Sequence, residues 1–453
     1  MKNIKAIILA AGEGKRMKSQ KPKVLHEIFN KPMIEYVLDA AEGSGIQEIC
    51  MVVGHQAEEV KKAITKADVS FVLQKEQLGT GHAVMQAQHF IPAEGEVLIL
   101  CGDTPLVTAE TLQKFLQFHQ DENNDVSILS AWVDNPAGYG HIIRDKEGSF
   151  LKNIEHKDAN AEEKLVCEIN TGIYCFQGKK LKEALTRLTN HNQQGEYYLP
   201  DTLEIIRKDG GKVNAMIAED AHEFLGVNSR VQLAEATDVM KKRINLKWME
   251  EGVTLVDPQN TYIGPEVSIG QDTVVLPGCV LEGKTVIGEG CIIGPNSRMT
   301  NMILSNGVKF QASTGMDSTI GEETTVGPYA YIRPNCVIGA HVKVGDFVEV
   351  KNSVIGNGTK ISHLTYIGDT DAGENINFGC GTVTVNYDGK KKFRTTIEDG
   401  AFIGCNANLV APVTVKKGSY IAAGSTVTKD VPEDALAVAR SRQQNIEGWT
   451  KKH

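Results

Sequence analysis

An aliphatic residue recurs at every sixth position through most of the second half of the sequence, often followed by glycine, as in Ile263-Gly264 and Ile403-Gly404. A period of six fits neither an α-helix, with 3.6 residues per turn, nor an ordinary strand, with a period of two. It fits a triangular coil in which each side is one short strand and a turn, with the aliphatic side chain pointing inward. Chance alternation in a β-sandwich is the alternative, and the length of the series disfavours it. The period therefore predicts a left-handed parallel β-helix of hexapeptide repeats over about 252–431. The inward positions are Ile263, Ile269, Val275, Leu281, Ile287, Ile293, Ile320, Val326, Ile332, Ile338, Val344, Val350, Ile397, Ile403, Leu409, Val415, Ile421 and Val427.

The first half of the sequence alternates short apolar runs with helical patterns. Such runs are typical of strands in a buried, mostly parallel sheet, and helices are expected at Met33–Ala41 and Ala57–Ile64. The alternation predicts a Rossmann-like, doubly wound α/β domain. The predicted strands are Ala6–Leu9, Ile49–Val53, Phe71–Leu73, Val97–Leu100 and Val126–Ala131.

Apolar residues spaced three and four apart mark Val231–Glu251 as a long helix with one apolar face. The chain is too long for a single hydrophobic core. We therefore expect an α/β domain over 1–228, a linker helix over 229–251, and a β-helix domain with a C-terminal tail over 252–453.

The formal net charge of −9 disfavours nucleic acid as a partner, because binding to duplex phosphates requires a basic surface. No apolar run approaches the ~20 residues of a membrane span, and Ala6–Ala11 is too short for the core of a signal peptide. The nine cysteines form no CxxC pair, which argues against a disulfide framework and a zinc site. These features predict a cytoplasmic protein with no membrane span.

The first predicted strand runs directly into a glycine loop, Leu9–Met17, whose backbone N–H groups can bind phosphates. Arg16 and Lys23 supply positive charge for a polyphosphate. There is no third glycine and no acidic residue about 20 positions later, so a dinucleotide site is disfavoured. Asp103 follows another buried strand, where open α/β sheets bind ligands, and its carboxylate suits Mg²⁺. An ordinary turn aspartate is the alternative.

A series of further motifs follows in a characteristic order. They are Lys21–Leu25, Gln74–His82, Cys101–Pro105, Gly138–Gly140, Glu155–Asp158, Glu168–Gly172, Gly195–Tyr198, Gly226–Asn228, Ile361–Asp369, Asn375–Gly379 and Asn386–Gly389. With these motifs, nearly the whole chain resembles the bifunctional UDP-N-acetylglucosamine pyrophosphorylase/glucosamine-1-phosphate N-acetyltransferase family. The sequence departs from that family at Lys15, where threonine is usual, and at His141, where arginine is common.

The resemblance implies that acetyl-CoA acetylates glucosamine 1-phosphate, and that Mg²⁺-dependent uridylyl transfer from UTP to N-acetylglucosamine 1-phosphate then releases pyrophosphate. It makes Asp103 and Asn228 the metal ligands, with Asn228 also touching substrate, and gives Arg16 and Lys23 the task of stabilising phosphate charge. The residues implied to hold the uridine nucleotide are Leu9, Ala10, Ala11, Gly12, Lys23, Gln74, Gly79 and Thr80. Those implied to hold the sugar are Gly140, Glu155 and Asn170.

In the second half, His363 is the candidate base for the ammonium proton of glucosamine 1-phosphate, because an imidazole titrates near ~6.5. Arg333 and Lys351 would hold the sugar phosphate, and Tyr366 and Asn377 the sugar. By resemblance, the acetyl-CoA groove is lined by Cys380, Asn386, Tyr387, Cys405, Ala423 and Arg440. Family resemblance also implies a homotrimer, with sites between neighbouring β-helices and the tail packed onto a neighbour.

Several alternatives remain open. Cys405 suggests a covalent acetyl intermediate, but a small wall residue is favoured because the family commonly has serine there. The basic run Lys390–Arg394 is a solvated loop or a contact to the phosphates of CoA. The whole chain could instead be a single-activity sugar-1-phosphate nucleotidylyltransferase with a structural or regulatory β-helix, or a non-catalytic scaffold.

The six-residue series is interrupted near His363. The steps from Val350 to Ile355 and from Ile367 to Ala372 are each one residue short. We expect these irregular steps to mark the acetyltransferase site.

Overall fold

The computed structural model describes residues 4–64, 66 and 68–451. Contacts within the chain divide it into two compact units, Met1–Met240 and Lys241–His453. The division falls inside a 21-residue helix, Arg230–Glu250, and the predicted boundaries at 228 and 251 lie next to the ends of that helix. No helix in the described part of the chain is long and apolar enough to cross a membrane.

The first unit is built on a nine-stranded sheet in the order β11-β7-β10-β6-β1-β4-β5, with β8 and β9 added beside β10. The strands are β1 (Ile4–Ala10), β2 (Glu27–Ile28), β3 (Lys31–Pro32), β4 (Glu48–Val53), β5 (Val69–Leu73), β6 (Glu96–Cys101), β7 (Val126–Trp132), β8 (His141–Arg144), β9 (Phe150–Ile154), β10 (Glu168–Gln177) and β11 (Val213–Ile217), of which β2 and β3 form a separate ribbon.

The prediction of a mostly parallel sheet is correct for β5-β4-β1-β6 and for the β7–β11 pair. The sheet as a whole is mixed, because β10, which was not among the predicted strands, runs antiparallel to both β6 and β7. The chain reaches β10 through the β8–β9 hairpin and not through a crossover helix, and a hairpin reverses the strand direction.

Helices cover both sides of this sheet, as a doubly wound domain requires. Ile8 of β1 packs in the same buried cluster as Ile34 and Phe115, whereas the adjacent Ile7 packs in a second cluster with Leu181. The α-helices are α1 (Met33–Gly43), α2 (Ala57–Ala63), α3 (Thr80–Gln86), α4 (Ala109–Asp121), α5 (Gly178–Leu185), α6 (Asp201–Lys208) and α7 (Arg230–Glu250). Short 3₁₀ helices span Lys15–Met17, Lys23–Leu25, Glu163–Leu165, Ala221–Phe224, Pro258–Asn260 and Trp449–Lys451.

The second unit is a left-handed β-helix with three parallel sheets, as the six-residue period predicts. The first face contains Thr254–Leu255, Val274–Val275, Ile292–Gly294, Lys309–Gln311, Thr325–Val326, Lys343–Asp346, Lys360–His363, Asn377–Phe378, Phe402–Ile403, Tyr420–Ile421 and Leu436–Ala437. The second face contains Tyr262–Ile263, Val280–Glu282, Arg298–Thr300, Thr314–Met316, Tyr331–Ile332, Glu349–Lys351, Tyr366–Gly368, Val383–Val385, Asn408–Val410 and Thr426–Val427. The third face contains Ser268–Ile269, Val286–Ile287, Ile303–Leu304, Thr319–Ile320, Val337–Ile338, Val354–Ile355, Thr370–Ala372, Thr395–Ile397 and Val413–Val415. Every aliphatic position of the predicted series is buried.

Short steps in this series are not confined to the region of His363. The buried positions Met299 and Leu304 are also one residue closer than the regular period. At such corners an asparagine or aspartate adopts a left-handed backbone, with φ of 52° at Asn301 and 49° at Asp369. A short step alone therefore does not mark a site, and the side chains that it presents decide its role.

Neighbouring strands of the third face provide a matched test of the core. Ile320 is fully buried, whereas Ile303 is 49% exposed. Ile320→Ala is expected to lower the free energy of unfolding by about 2–5 kcal/mol, because it leaves a cavity in a narrow core. Ile303→Ala should change it by no more than about 0.5 kcal/mol. Urea denaturation of the full chain measures both, and equal losses would contradict the inward assignment.

Candidate active sites

Three distant segments of the first unit meet at the carboxyl ends of β1 and β6. Leu9 and Cys101 are partners in the parallel register, and the Gly102 N–H donates to the Leu9 carbonyl at 2.9 Å. The Val227 N–H donates to the Asp103 carbonyl, also at 2.9 Å. Parallel pairing and these two bonds bring the glycine loop, Asp103 and Asn228 to one place.

Lys23 connects the two predicted metal ligands. Its Nζ lies 2.5 Å from Asp103 Oδ2 and 3.0 Å from Asn228 Oδ1. Two oxygen ligands thus already converge on one positive charge, so this pair fits Mg²⁺, which binds through one or two protein oxygens together with phosphates. Gly14 makes room for this arrangement: it has φ of 64°, and a Cβ there would lie 2.6 Å from Lys23 Cβ.

A cavity of about 300 Å³ opens beside Lys23 and Asp103. Its walls include the predicted nucleotide residues Leu9, Ala10, Ala11, Gly12, Lys23, Gln74, Gly79 and Thr80, together with Asp103. Gln74 is buried and donates from Nε2 to the Gly79 carbonyl at 3.2 Å. Arg16 is exposed on the 3₁₀ helix Lys15–Met17 and is not among the wall residues.

Lys15 departs from the family pattern, and its positive charge is partly balanced by Glu13, because Lys15 Nζ lies 2.6 Å from Glu13 Oε2. Both side chains are exposed. The added positive charge therefore has a carboxylate beside it at the glycine loop.

A second cavity of about 300 Å³ shares the walls Leu9, Thr80, Cys101 and Glu196 with the first. It contains all three residues predicted to hold the sugar, namely Gly140, Glu155 and Asn170. The sequence analysis missed other wall residues, including Tyr139, Thr171, Tyr174, Gln194, Glu196 and Tyr198. Several of these belong to the motifs Gly138–Gly140 and Gly195–Tyr198, so the adjoining motif residues were the signal that would have found them.

The second cavity combines amide donors with a carboxyl group whose pKa is raised. Asn170 Nδ2 donates to the Tyr174 hydroxyl at 2.7 Å, and its N–H donates to the Gly140 carbonyl at 2.8 Å. Burial raises the pKa of Glu155. Such groups are suited to hydrogen-bonding the hydroxyls of a sugar.

His141, the other departure from the family pattern, is buried behind this cavity. Its Nε2 lies 2.9 Å from His156 Nδ1, and its Nδ1 lies 2.9 Å from the Val166 carbonyl. Since only an N–H can face the carbonyl, His141 donates from Nδ1 and can accept from His156 at Nε2. The histidine is therefore fully bonded without an arginine's positive charge.

In the second unit, His363 lies on the corner between the first and second faces, which we call the first corner. Backbone bonds connect successive coils there: Leu364 N–H to the Asp346 carbonyl, Asn406 N–H to the Cys380 carbonyl, and Gly424 N–H to the Cys405 carbonyl. The predicted acetyl-CoA residues Cys380, Cys405 and Ala423 therefore lie in line with His363, and Arg440 lies beside Gly424 at the end of that line.

His363 pairs with a carboxylate that the sequence analysis did not identify. Asp346 lies directly opposite it in the parallel register, and His363 Nδ1 is 2.6 Å from Asp346 Oδ1. The hydrogen bond with His363 lowers the pKa of Asp346, so that the carboxylate stays ionised. With Nδ1–H donated to Asp346, Nε2 keeps the lone pair that a general base needs. In the sequence, Asp346 and His363 are 17 residues apart, which is close to the length of one coil. This spacing could have indicated that the two side chains meet.

A cluster of charges occupies the corner between the second and third faces, which we call the second corner. Lys351 Nζ lies 3.2 Å from Asp369 Oδ2, with both side chains mostly buried, and Arg333 lies 2.8 Å from Glu349. Asp369, which the sequence analysis missed, also accepts from the amides of Asn352 and Asn386. Asn386, expected at acetyl-CoA, thus lies within the predicted phosphate site.

The remaining predicted residues surround these two corners. Tyr366 is on the second face, with its hydroxyl 3.4 Å from Asn386 Nδ2, whereas Asn377 is on the first face. Tyr387 is exposed on a small hairpin in which it pairs with Lys392. Lys392 is close enough to Lys351 that the second ammonium lowers its pKa. The hairpin therefore directs one lysine of the basic run toward the second corner.

The comparisons with known proteins agree with the two-domain organisation. The nucleotidyl transferase family profile matches residues 5–252, and the bacterial transferase hexapeptide profile matches 266–301, 317–352 and 394–429. The protein named "Bifunctional protein GlmU" from Caldanaerobacter subterraneus subsp. tengcongensis is 55% identical, over 100% of this chain and 98% of that protein. Proteins of the same name from Clostridioides difficile and Halalkalibacterium halodurans are 52% and 50% identical, again over at least 98% of each chain.

The predicted family is thus confirmed at high identity over the full length of the relatives. The chain belongs to the bifunctional GlmU family, in which a nucleotidyltransferase is joined to a hexapeptide-repeat acetyltransferase.

Proposed function

We propose that the two units carry out the two reactions of UDP-N-acetylglucosamine synthesis with separate sets of residues. The observation that best supports uridylyl transfer in the first unit is its pair of adjoining cavities, which share walls next to Asp103 and Lys23. Two cavities in contact suit a reaction in which a nucleotide and a sugar phosphate are joined directly.

In the first unit, UTP occupies the nucleotide cavity and N-acetylglucosamine 1-phosphate the second cavity. A phosphate oxygen of the sugar attacks the α-phosphorus, a new P–O bond forms, and the bond to pyrophosphate breaks. Lys23 stabilises the charge that develops, and the exposed Arg16 is available to the leaving pyrophosphate. Asp103 and Asn228 would hold Mg²⁺, which neutralises phosphate charge when bound.

In the second unit, Arg333, Lys351 and Lys392 bind the phosphate of glucosamine 1-phosphate at the second corner. His363 takes a proton from the sugar ammonium, and the free amine attacks the thioester carbonyl of acetyl-CoA. The new C–N bond forms as the C–S bond breaks, the nitrogen gives up its second proton to the leaving thiolate, and CoA departs as a thiol. Acetyl-CoA lies along the first corner, beside Cys380, Cys405 and Ala423.

We further infer that the protein works as a homotrimer in the cytoplasm. Tyr329, Phe347 and Leu364 are each more than half exposed, and the latter two directly follow Asp346 and His363. Apolar side chains exposed beside a proposed site are typical of an interface between subunits. The tail residues 441–451 are also exposed, which suits packing onto a neighbour. The nine cysteines are free thiols, as a reducing compartment favours.

The alternative of a single-activity nucleotidyltransferase with a purely structural β-helix does not account for the Asp346–His363 pair or for the cations around Asp369. A non-catalytic scaffold likewise has no need of the converging oxygens at Lys23.

Separate variants should remove the two activities independently. His363→Ala is expected to abolish CoA release from acetyl-CoA and glucosamine 1-phosphate but to leave pyrophosphate formation from UTP and N-acetylglucosamine 1-phosphate within about twofold of the original rate. Asp103→Ala should do the reverse. The exposed residues His341 and Asp134 provide controls, since their alanine variants should keep both activities. Loss of both activities in either test variant would contradict the proposed division.

Asp346 is expected to position His363. Asp346→Ala should lower kcat for acetyl transfer by about tenfold or more, because the imidazole loses the acceptor that orients it. The KM for glucosamine 1-phosphate should stay within about twofold, and Asp346→Asn should recover part of the rate. Glu323 pairs with the exposed His341 at 3.4 Å on the same β-helix, so Glu323→Ala is the matched control. An unchanged kcat in Asp346→Ala would contradict this role.

The hairpin lysine Lys392 distinguishes the two hypotheses for the basic run. Lys392→Met should raise the KM for glucosamine 1-phosphate by about tenfold or more and leave the KM for acetyl-CoA within about twofold, because one phosphate ligand is lost. Lys390→Met, in the same hairpin, should change neither. Steady-state kinetics, measured with each substrate varied in turn, distinguish the two hypotheses. A rise in the KM for acetyl-CoA alone would favour a contact between the basic run and the CoA phosphates.

A further inference from the structure

A buried group of three potential metal ligands lies in the first unit, at the end of β6 that is remote from the nucleotide cavity. Glu96 begins β6, His119 belongs to α4 and Cys175 belongs to β10. Their exposed fractions are 3%, 1% and 0%. Within the described ranges, their ligand atoms all lie within 4.8 Å of one another. The other end of β6, at Cys101, lines the two cavities described above.

The strand register explains why Glu96 and Cys175 are close. Gln177 is the partner of Glu96, and Cys175 is the partner of Leu98 in the same antiparallel pair. Glu96 and Cys175 thus lie on neighbouring strands, and Cys175 is two residues along its strand from the partner of Glu96. Side chains two positions apart point to the same face of a sheet, and α4 supplies His119 to that group.

His119 is held in an orientation that suits a metal ligand. Its Nδ1 lies 2.9 Å from Ser127 Oγ, and Asn124 Nδ2 donates to the same oxygen at 2.9 Å. Ser127 Oγ can accept from both side chains, and in the tautomer that donates Nδ1–H to it, His119 presents the Nε2 lone pair that binds a metal ion. The side chains behind His119 therefore supply the supporting hydrogen bonds that protein metal sites typically have.

Glu96 connects the group to the outside. Its Oε2 accepts from Gln120 Nε2 at 2.8 Å. Gln120 also lines a separate cavity of about 400 Å³, together with Ile4, Ser44 and Leu116. Movement of the Gln120 side chain would open a path from this cavity to the buried carboxylate, and an entry path is one requirement for a metal site.

We propose that Glu96, His119 and Cys175 bind one divalent cation of the zinc class, with a structural role. Zinc takes thiolate, imidazole and carboxylate ligands together, whereas magnesium prefers oxygen ligands alone. Bonds of about 2.0–2.3 Å would bring the ligand atoms to roughly 3.5 Å from one another, so small side-chain rotations would set three of the four tetrahedral positions, and a water molecule would take the fourth. The cation would also offset the cost of burying a carboxylate, and it would tie α4 to β6 and β10.

This proposal departs from the expectation that the cysteines argue against zinc. That expectation used the CxxC spacing, which detects only ligands that are neighbours in the sequence. Here the ligands come from positions 96, 119 and 175, and only the packing of a helix onto two strands brings them together.

Cobalt(II) provides a direct test because its complexes are coloured and it occupies zinc sites with the same geometry. The full-length protein is treated with a chelator, dialysed and titrated with Co²⁺ in the absence of substrates. We expect visible bands of tetrahedral cobalt and a near-ultraviolet thiolate band, both saturating at about one equivalent and both lost when Zn²⁺ is added. Zn²⁺ should also raise the Tm of the metal-free protein.

Variants assign the signal to this site. Cys175→Ser should lose the thiolate band and the rise in Tm with Zn²⁺, and His119→Gln should weaken cobalt binding by at least about tenfold. Cys50→Ser is the matched control, since Cys50 is a fully buried cysteine of the same sheet, and it should keep the bands. Asp103→Ala should also keep them, which separates this site from the magnesium ligands.

Two results would overturn the proposal. One is the absence of a thiolate band in the unmodified protein, which would leave the three side chains as a metal-free hydrogen-bonded group; this result does not depend on any variant folding. The other is a band that persists in a folded Cys175→Ser variant, which would place the metal at another cysteine.

Discussion

Parallel pairing of strands is the constraint on which both units depend. A parallel ladder satisfies the backbone N–H and C=O groups only in a defined register, so the ends of neighbouring strands come to the same edge. In the first unit this brings Leu9 beside Cys101. In the second unit it stacks each coil on the next, so that Asp346 meets His363 although 17 residues separate them.

Opposite charges hold the cations of the proposed phosphate sites in place. Lys23 pairs with Asp103, Lys351 with Asp369, and Arg333 with Glu349. The first two pairs are mostly buried, where screening by water is weak and the geometry is well defined. A phosphate or a metal ion then binds by exchanging partners within a group that is already arranged, which reduces the reorganisation that the reaction requires.

The repeat period predicted the β-helix, and the family resemblance implied the residues that line the two cavities of the first unit. The inward positions of the β-helix follow from one pattern, and the predicted nucleotide and sugar residues line two adjoining cavities. Asp346 and Asp369 were missed because their partners lie about one coil away, and a sequence pattern does not indicate which polar side chains of stacked corners meet. β10 was not among the predicted strands, and its antiparallel direction follows from the β8–β9 hairpin, which depends on how the chain returns to the sheet and not on an apolar pattern.

The sequence by itself determined the coil of six-residue steps, since a repeated aliphatic position has one way to be buried in a narrow triangular core. It also determined which loops are rich in phosphate-binding groups, because glycine, lysine and aspartate occur there next to buried strands. The tertiary structure alone decided which side chains come together: Lys23 with Asp103 and Asn228, His363 with Asp346, and Glu96 within 4.8 Å of His119 and Cys175. The physical reason is that contacts across a sheet or between coils depend on register and helix packing, which arise only when the whole chain has folded.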